Sequence, residues 1–195
     1  MVWEKAQTLV GLLVTCQYFR SKTKVVADLP LCSERRESPQ DCIFRKIVEK
    51  RDDEGDNRRE GIVVEDDKAV AIRDIRPSAE THLLVLPCEP IWSVLSLRPC
   101  PEDIELLEHM IELGKVSLRM VSPKGDESSW WMGFHVPPFT SVDHLHMHCL
   151  AGEYTKRGKA KFTYNRHFSV PADMVLERLR NEYELRQSTN AKKSI

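Results

Sequence analysis

Short runs of apolar residues, separated by charged or turn-forming residues, predict a sheet in the middle of the chain. Residues 62–64 and 69–72 are two β-rich runs on either side of a charged turn, a pattern typical of a β-hairpin. Residues 82–87 read as a buried strand that ends in proline, and residues 130–136 and 144–151 as two further strands. We expect these runs to lie side by side in one sheet.

Helical spacing replaces this pattern after residue 100. A proline and two acidic residues at 101–103 suit a first helical turn, where proline misses no backbone partner and the helix dipole favours negative charge. Four apolar residues then recur at helical spacing: Ile104, Leu107, Ile111 and Leu118. Shorter helices are predicted near residues 42–48 and from about residue 171, and a strand near residues 162–164. The elements predict an α+β fold of two layers, an antiparallel sheet of about five strands with a long helix across it.

The length of the chain, 195 residues, suffices for one domain with a core and some trailing segments. We predict a poorly ordered extension over residues 1–38, the domain over residues 39–185, and a short tail over residues 186–195. The apolar run at residues 9–14 is too short for a secretory signal. No segment approaches the roughly 20 apolar residues that span a bilayer, so we expect no membrane association.

Charge and cysteine usage narrow the class of protein. Lys and Arg number 29 against 30 Asp and Glu, a formal net charge of −1. Proteins that bind duplexes usually carry a basic excess, so we expect no nucleic acid partner. The six cysteines show no Cys-x-x-Cys spacing, which predicts neither a disulfide framework nor a zinc knuckle. Free thiols favour a reducing compartment, and we expect the cytoplasm, with the nucleus also open.

Three of the seven histidines stand in one alternating run, His144, His146 and His148. Side chains of a strand alternate between its faces, so the three imidazoles should line one face while the residues between them enter the core. A solvated strand face that happens to carry histidine is one interpretation. A zinc site is a second, but the neighbouring residues 137–141 supply no thiol or carboxylate ligand.

Nucleophilic catalysis at phosphorus is the third interpretation, and it best explains the number and spacing of the histidines. Neutral imidazole is a nucleophile near pH 7 when a hydrogen bond to its other nitrogen fixes the tautomer. A transferring phosphoryl group carries negative charge and needs several fixed donors, which flanking histidines and the hydroxyl of Ser141 would provide. The middle histidine has a neighbour on each side and is therefore the expected nucleophile.

Residues 144–150 match the His-φ-His-φ-His-φ-φ signature of the histidine triad superfamily, in which φ is an apolar residue. Further blocks resemble the subfamily of histidine triad nucleotide-binding protein 3, the branch nearest aprataxin, and the similarity extends over about residues 41–181. These blocks are residues 42–44, 74–77, 81–87 and 133–139. The resemblance implies hydrolysis of an adenosine 5′-phosphoramidate or an acyl-AMP to AMP through a nucleotidyl-histidine, with no metal or other cofactor.

The resemblance also implies roles for individual residues. His146 would attack the α-phosphorus, His144 would orient it, and His148 would contact the phosphate and the leaving group. His82 matches a fourth histidine that helps to relay a proton. The other implied contacts with substrate are those of Asp74 with the ribose hydroxyls, Ile75 with the base, Ser141 with the phosphate and leaving group, and His135 near the phosphate.

Assembly and metal content are further implications of the resemblance. Relatives form homodimers that join two sheets, and we expect the same here, with a purine nucleotide as the substrate. Some relatives hold zinc with the second cysteine of a Cys-x-x-Cys near the domain start and with a Lys-Lys-His after the proline-ended strand. This chain has Arg45 at the first place and residues 88–90, Cys-Glu-Pro, at the second. We therefore expect no structural zinc.

Three alternative functions remain open. A deadenylase of DNA 5′-adenylates, as in aprataxin, is disfavoured by the neutral charge and by the absence of a Cys/His zinc module after the triad. A hydrolase of dinucleoside polyphosphates would differ only in its contacts with the leaving group. A nucleotide-binding or scaffold protein with little turnover is the alternative of another class, and the intact set of histidines speaks against it.

Overall fold

A six-stranded antiparallel sheet forms the centre of the structure, a computed structural model that describes residues 29–49, 61–122, 126–155 and 169–193. Its strand order is β1-β2-β3-β5-β4-β6. In chain order the elements are α1 (Ile43–Glu49), β1 (Ile62–Glu65), β2 (Ala69–Arg73), β3 (Ala79–Pro87), α2 (Pro101–Val121), β4 (Trp131–His135), β5 (Met147–Tyr154), β6 (Ser169–Pro171) and α3 (Ala172–Lys193). The predicted α+β class is confirmed, with one strand more than expected.

The β1–β2 hairpin forms because its turn supplies its own hydrogen bonds. Asp66 Oδ1 accepts from the backbone N–H groups of Lys68 and Ala69, each at 2.9 Å. Such an Asx contact closes a turn without help from the rest of the chain. The hairpin predicted from the sequence is therefore present, and β3 pairs with its second strand in antiparallel register.

Helix α2 is the long helix that the apolar spacing predicted. It begins at Pro101 with two acidic residues in its first turn and buries one face against the sheet. Gly114 permits a close approach to β5, because a Cβ there would lie 2.9 Å from Cys149 Sγ and 3.0 Å from Met147 Cε. The helix and the strand behind the histidines are therefore in direct contact.

The two faces of the sheet carry different layers. Helices α2 and α3 cover one face and enclose the main core, in which Val85, Met147 and Phe134 are each at most 1% exposed. Helix α1 lies on the other face, where a smaller apolar cluster comprises Val48, Val70, Ile72, Leu84 and Leu86. His148 is paired with Leu84 in register, so its imidazole shares this second face.

Residues 29–42, which we call the N-terminal strap, lie against the domain although the sequence placed the domain start at residue 39. Leu29 is 1% exposed and belongs to the main core. Backbone hydrogen bonds join the strap to the chain between β3 and α2, including Cys32 N–H to Leu97 O at 3.2 Å and Trp92 N–H to Arg36 O at 2.8 Å. The polar, proline-containing sequence of the strap did not predict these contacts, because backbone groups make most of them and no side-chain pattern indicates them.

An ion pair between Arg36 and Asp103 fixes the strap to the first turn of α2. The two guanidinium nitrogens lie 2.8 Å from the two carboxylate oxygens, a bidentate arrangement. The Asp103 side chain is 1% exposed and also accepts from the backbone N–H of Arg98 at 2.8 Å. A carboxylate buried to this extent depends on its partners.

Three other sequence predictions differ from the structure or fall outside it. Strand β5 begins at Met147 rather than at His144, because the preceding residues hydrogen-bond outside the sheet. Strand β6 pairs with β4 and was not predicted, since three residues are too few for a pattern. The strand predicted near residues 162–164 lies outside the described residues, as do residues 1–28. The domain ends at residues 39 and 185 stay predictions.

Both edge strands of the sheet are irregular. The pairing of β1 with β2 shifts register between Ile62 and Val64. At the other edge, β6 has three residues and ends at Pro171, which has no backbone N–H. None of the helices within the described residues combines the length and the apolar run that crossing a membrane requires.

Arg36→Met should lower the free energy of unfolding by about 2–3 kcal/mol, because it removes the bidentate partner of the buried Asp103 carboxylate and leaves only the half-exposed Arg98, whose Nε lies 3.5 Å away. Urea unfolding followed by circular dichroism measures the change. Arg119→Met is the matched control, since Arg119 and its partner Glu127 are both about half exposed, and its unfolding curve should overlay that of the wild type. Equal curves for all three proteins would show that the strap is not held by this ion pair.

Candidate active site

His146 lies just before β5, with a buried imidazole and one nitrogen fixed. The N–H of Leu145 donates to Ile91 O at 2.7 Å, which fixes the chain just before the strand begins. Leu145 points into the main core, and His146 therefore points to the opposite face. Its Nδ1 lies 2.6 Å from the carbonyl oxygen of His144. Because a carbonyl only accepts, Nδ1 carries the proton of the neutral ring and Nε2 carries the lone pair.

Both ring nitrogens of His144 have partners. Nε2 lies 3.1 Å from the carbonyl oxygen of Pro87 at the end of β3, and Nδ1 lies 3.0 Å from Oγ of Ser38 in the strap. The carbonyl must accept, so the proton of the neutral ring is on Nε2, and Nδ1 accepts from the Ser38 hydroxyl. Burial lowers the pKa of His144 to about 4, which keeps the ring neutral near pH 7.

His148, His82 and Asp74 form a chain of titratable groups on the same face. His148 Nδ1 lies 2.9 Å from His82 Nε2, and His82 Nδ1 lies 3.3 Å from a carboxylate oxygen of Asp74. The N–H of Ser78 also approaches His82 Nδ1, at 3.2 Å. Protons can therefore be held at several places along one path from Asp74 to the histidine beside the nucleophile.

Burial favours the neutral form of each imidazole in this group. It lowers the pKa of His146 and of His82, while the Asp74 carboxylate acts in the opposite direction on both. Burial also lowers the pKa of His148, and its neighbours His146, His135 and His82 add to that effect. A neutral imidazole offers its lone pair for attack, whereas imidazolium has none.

Two further rings contact the triad. The ring of His135, at the end of β4, lies 4.3 Å from that of His148 between centroids, and the rings of His146 and His148 lie 5.0 Å apart. Phe44 of α1 meets His146 edge to face at 5.1 Å. These contacts hold the rings in place without using the nitrogen atoms.

A small open cavity adjoins His146. It is lined by residues of the connection between β3 and α2, of the end of β4 and of the loop between β4 and β5: Ser93, Val94, Phe134, His135, Thr140, His144, Leu145 and His146. Hydroxyls, imidazole nitrogens and apolar carbon line it together. This mixture suits a ligand with a polar and an apolar part.

Two groups of side chains have nitrogen or oxygen atoms close enough to share a metal ion. They are His135 with His146 and His148, and Asp74 with His82 and His148, with the ligand atoms within 4.8 Å of one another in each group. Both groups coincide with the hydrogen-bonded chain described above. A cation in the first group would take the His146 lone pair, and one in the second would replace the contact between His82 and His148.

The structure brings together most of the residues that the sequence singled out. His82, His135, His144, His146, His148 and Asp74 all lie in one network of hydrogen bonds and ring contacts. Ile75 lies in the turn between β2 and β3 and is 92% exposed, and Ser141 is exposed in the loop before His144. The roles of Ile75 and Ser141 toward a substrate stay predictions.

Three contact residues were missed. Ser38 and Ser78 each hydrogen-bond a site histidine, and Phe44 packs on His146. Phe44 lies in the short helix predicted near residues 42–48, and that prediction gave no reason to place its ring beside His146. Ser38 is separated from His144 by 106 positions, and no local pattern links the two.

The chain is similar to a known protein family, to curated proteins and to solved structures. It matches the family described as scavenger mRNA decapping enzyme C-term binding over residues 41–163. It is 40% identical over 121 residues to the bifunctional adenosine 5′-phosphosulfate phosphorylase/adenylylsulfatase HINT4 of Arabidopsis thaliana, which covers 62% of this chain and 77% of that protein. It is 32% identical over 153 residues to the adenosine 5′-monophosphoramidase HINT3 of Mus musculus, covering 77% of this chain and 88% of that protein. A solved structure of a HIT family hydrolase from Clostridium thermocellum is 25% identical, covers 62% of this chain and 96% of that one, and has a TM-score of 0.49.

The buried histidines should make the protein less stable on acidification from pH 6.5 to pH 4. An unfolded histidine takes up a proton below about pH 6.5, whereas folded His144 does so only below about 4. Between these values the unfolded state binds more protons, so the free energy of unfolding falls by up to about 1.4 kcal/mol per pH unit for each such histidine and levels off above pH 6.5. Urea unfolding from pH 4.5 to 7.5 measures this slope, and His144→Gln should reduce it. A slope that is unchanged in the variant, or a protonated His144 ring at pH 6 by NMR, would contradict the expectation.

Proposed function

The chain belongs to the histidine triad family, and from that premise we propose that it hydrolyses adenosine 5′-phosphoramidates and acyl-adenylates to AMP. The observation that carries the proposal is the hydrogen bond from His146 Nδ1 to the carbonyl of His144, which leaves a lone pair on Nε2 of a buried, neutral imidazole. The activities in the names of the two relatives support the substrate class, because both concern derivatives of adenosine 5′-monophosphate.

The first step is attack of His146 Nε2 on the α-phosphorus. A nitrogen–phosphorus bond forms, the bond from phosphorus to the leaving group breaks, and its electron pair goes to the amine nitrogen or the carboxylate oxygen. The Nδ1–H of His146 continues to donate to the His144 carbonyl, and this hydrogen bond stabilises the positive charge that develops on the ring. The product is AMP joined to His146.

An amine leaves only when it is protonated, and the chain from Asp74 to His148 supplies that proton. When the two rings of His82 and His148 share three protons, they carry one positive charge opposite the Asp74 carboxylate. His148 Nε2 gives its proton to the amine while the proton on His82 Nε2 moves to His148 Nδ1 across 2.9 Å. Both rings are then neutral.

Water completes the reaction. Its oxygen attacks the phosphorus of the nucleotidyl-histidine, its proton goes to His148 Nε2, and the bond to His146 Nε2 breaks to release AMP. After an amine has left, this proton replaces the one that the amine took. The relay regains its positive charge and His146 its lone pair, so no metal is needed to balance charge. His148 therefore acts as the general acid in the first step and as the general base in the second. With a carboxylate leaving group, which takes no proton, the two rings start with two protons and release the third to solvent after hydrolysis.

We assign the remaining substrate contacts to residues that the sequence singled out and to Phe44. Asp74 is 15% exposed in its side chain and retains acceptor capacity for the two ribose hydroxyls beside its contacts with His82 and Arg76 N–H. Ile75, exposed in the same turn, and Phe44 offer apolar surface to the base. His135 and Ser141 provide donors to the phosphate oxygens.

His146→Ala should abolish turnover of a fluorogenic adenosine phosphoramidate, with a loss of at least about 10³-fold, because the attacking atom is removed. The assay is run with chelator and without added metal, and mass spectrometry of acid-quenched wild type should detect protein carrying one AMP. His109→Ala is the matched control, since His109 lies on α2 and contacts Asp66, outside the site. Wild type that binds AMP without turnover of phosphoramidates would favour a nucleotide-binding protein or another leaving group, which DNA 5′-adenylates and dinucleoside polyphosphates would test.

His82→Phe should affect poor and good leaving groups differently, because it removes the proton relay and keeps the nucleophile. We expect kcat for an alkyl amine leaving group to fall about 10²-fold, and kcat for a p-nitrophenyl ester of AMP, which needs no proton, to fall far less. Steady-state kinetics on both substrates measures the split. An equal loss on the two substrates would assign His82 a role in folding or binding instead of proton transfer.

A further inference from the structure

The hydroxyl of Ser38 reaches the triad from the N-terminal strap. Ser38 is 3% exposed, and its Oγ lies 3.0 Å from Nδ1 of His144. Nε2 of His144 donates its proton to a hydrogen bond with the Pro87 carbonyl, so Nδ1 of the neutral ring has a lone pair. Ser38 is therefore the donor and His144 the acceptor in the bond between them. The Pro87 carbonyl therefore sets the tautomer of His144, and the Ser38 hydroxyl supplies the donor to the lone pair that this tautomer leaves on Nδ1.

The backbone of Ser38 is fixed on both sides of this side chain. Its N–H donates to Pro90 O at 2.7 Å, and its carbonyl accepts from Arg45 at 3.2 Å. Arg45 is itself held by Glu49 at 2.6 Å. These hydrogen bonds join the strap to α1 through Arg45 and to the triad through Ser38. Some relatives have the second cysteine of a zinc site at the position of Arg45.

The next link joins His144 to the nucleophile. The ring of His144 bridges the end of β3 and the strap, and this bridge fixes the position of its main chain. The carbonyl of that same residue accepts from His146 Nδ1 at 2.6 Å. A shift of His144 would therefore move the acceptor that sets the tautomer and direction of His146.

We propose that Ser38 is a positioning residue for the nucleophile and acts through His144. The proposal rests on the proposed function, in which His146 attacks phosphorus. Ser38 does not itself line the cavity, and it reaches the site only through its contact with His144, which does. Without its hydroxyl, Nδ1 of His144 lies in the interior with no donor, a state that costs free energy and favours a changed ring orientation or tautomer. A changed ring would alter the hydrogen bond from His144 Nε2 to the Pro87 carbonyl, and with it the position of the His144 carbonyl that accepts from His146.

Ser38→Ala should lower kcat, and the single-turnover rate of nucleotidyl-histidine formation, by about 10- to 100-fold, with KM within about threefold of the wild type. Ser38→Thr keeps a hydroxyl and should recover most of the rate. Ser96→Ala is the matched control: Ser96 is 1% exposed and donates to the strap at Arg35 O over 2.6 Å, without contact to a histidine. Its rate should stay near that of the wild type.

Nitrogen-15 NMR of the histidine rings at pH 7 tests the link without activity. In the wild type, His144 should carry its proton on Nε2 with a lone pair on Nδ1, and Ser38→Ala should change this pattern and broaden or shift the His146 signals. A proton on Nδ1 of His144 in the wild type would overturn the proposal, whether or not the variants fold.

The outcomes separate this proposal from the function on which it rests. Equal losses in Ser38→Ala and Ser96→Ala would mean that loosening the strap suffices, and would overturn the positioning role while the hydrolase function stands. An unchanged rate in Ser38→Ala would also overturn it. A wild type that forms no nucleotidyl-histidine would overturn the proposed function itself.

Discussion

The hydrogen bond from the imidazole of His146 to the carbonyl of His144 is the contact on which the site depends. It joins residues two positions apart, so its geometry is set by the main chain, and no side-chain substitution at 144 removes the acceptor. What substitution can alter is the path of that main chain. The path is held by Leu145 N–H on Ile91 and by the ring of His144 between β3 and the strap. The orientation of the His146 ring thus depends on the backbone and ring contacts of the two residues that precede it.

Burial supplies the protonation state that this orientation needs. A row of imidazoles in water would be partly charged near pH 6.5, but here desolvation lowers the pKa of each member of the triad. The same desolvation would leave no acid to protonate a leaving group. Asp74 offsets it at one end of the row, since its negative charge favours a proton on His82. In the proposed mechanism, His146 is the neutral nucleophile of this set, and His82 and His148 form the relay that takes up a charge.

The sequence predicted the parts of this structure that have a local cause. The hairpin follows from Asp66 and its turn, and α2 follows from its apolar spacing and first-turn residues. The triad and its neighbours were recognised by pattern, although β5 begins only at Met147. Contacts that join distant segments were not predictable in this way. Ser38 on His144, the strap on α2, and β6 on β4 each depend on tertiary placement that no periodicity encodes.

The irregular edges of the sheet bear on how copies of the chain can meet. A strand adds to a sheet where an edge presents a regular row of free N–H and C=O groups. The register shift in β1 interrupts that row at one edge, and at the other β6 is short and ends in a proline. Two copies cannot merge their sheets through β4, which β6 already occupies. The homodimer expected from the sequence stays a prediction, and a continuous intermolecular sheet across β4 would first require β6 to leave. The same irregularity protects the monomer from edge-to-edge aggregation.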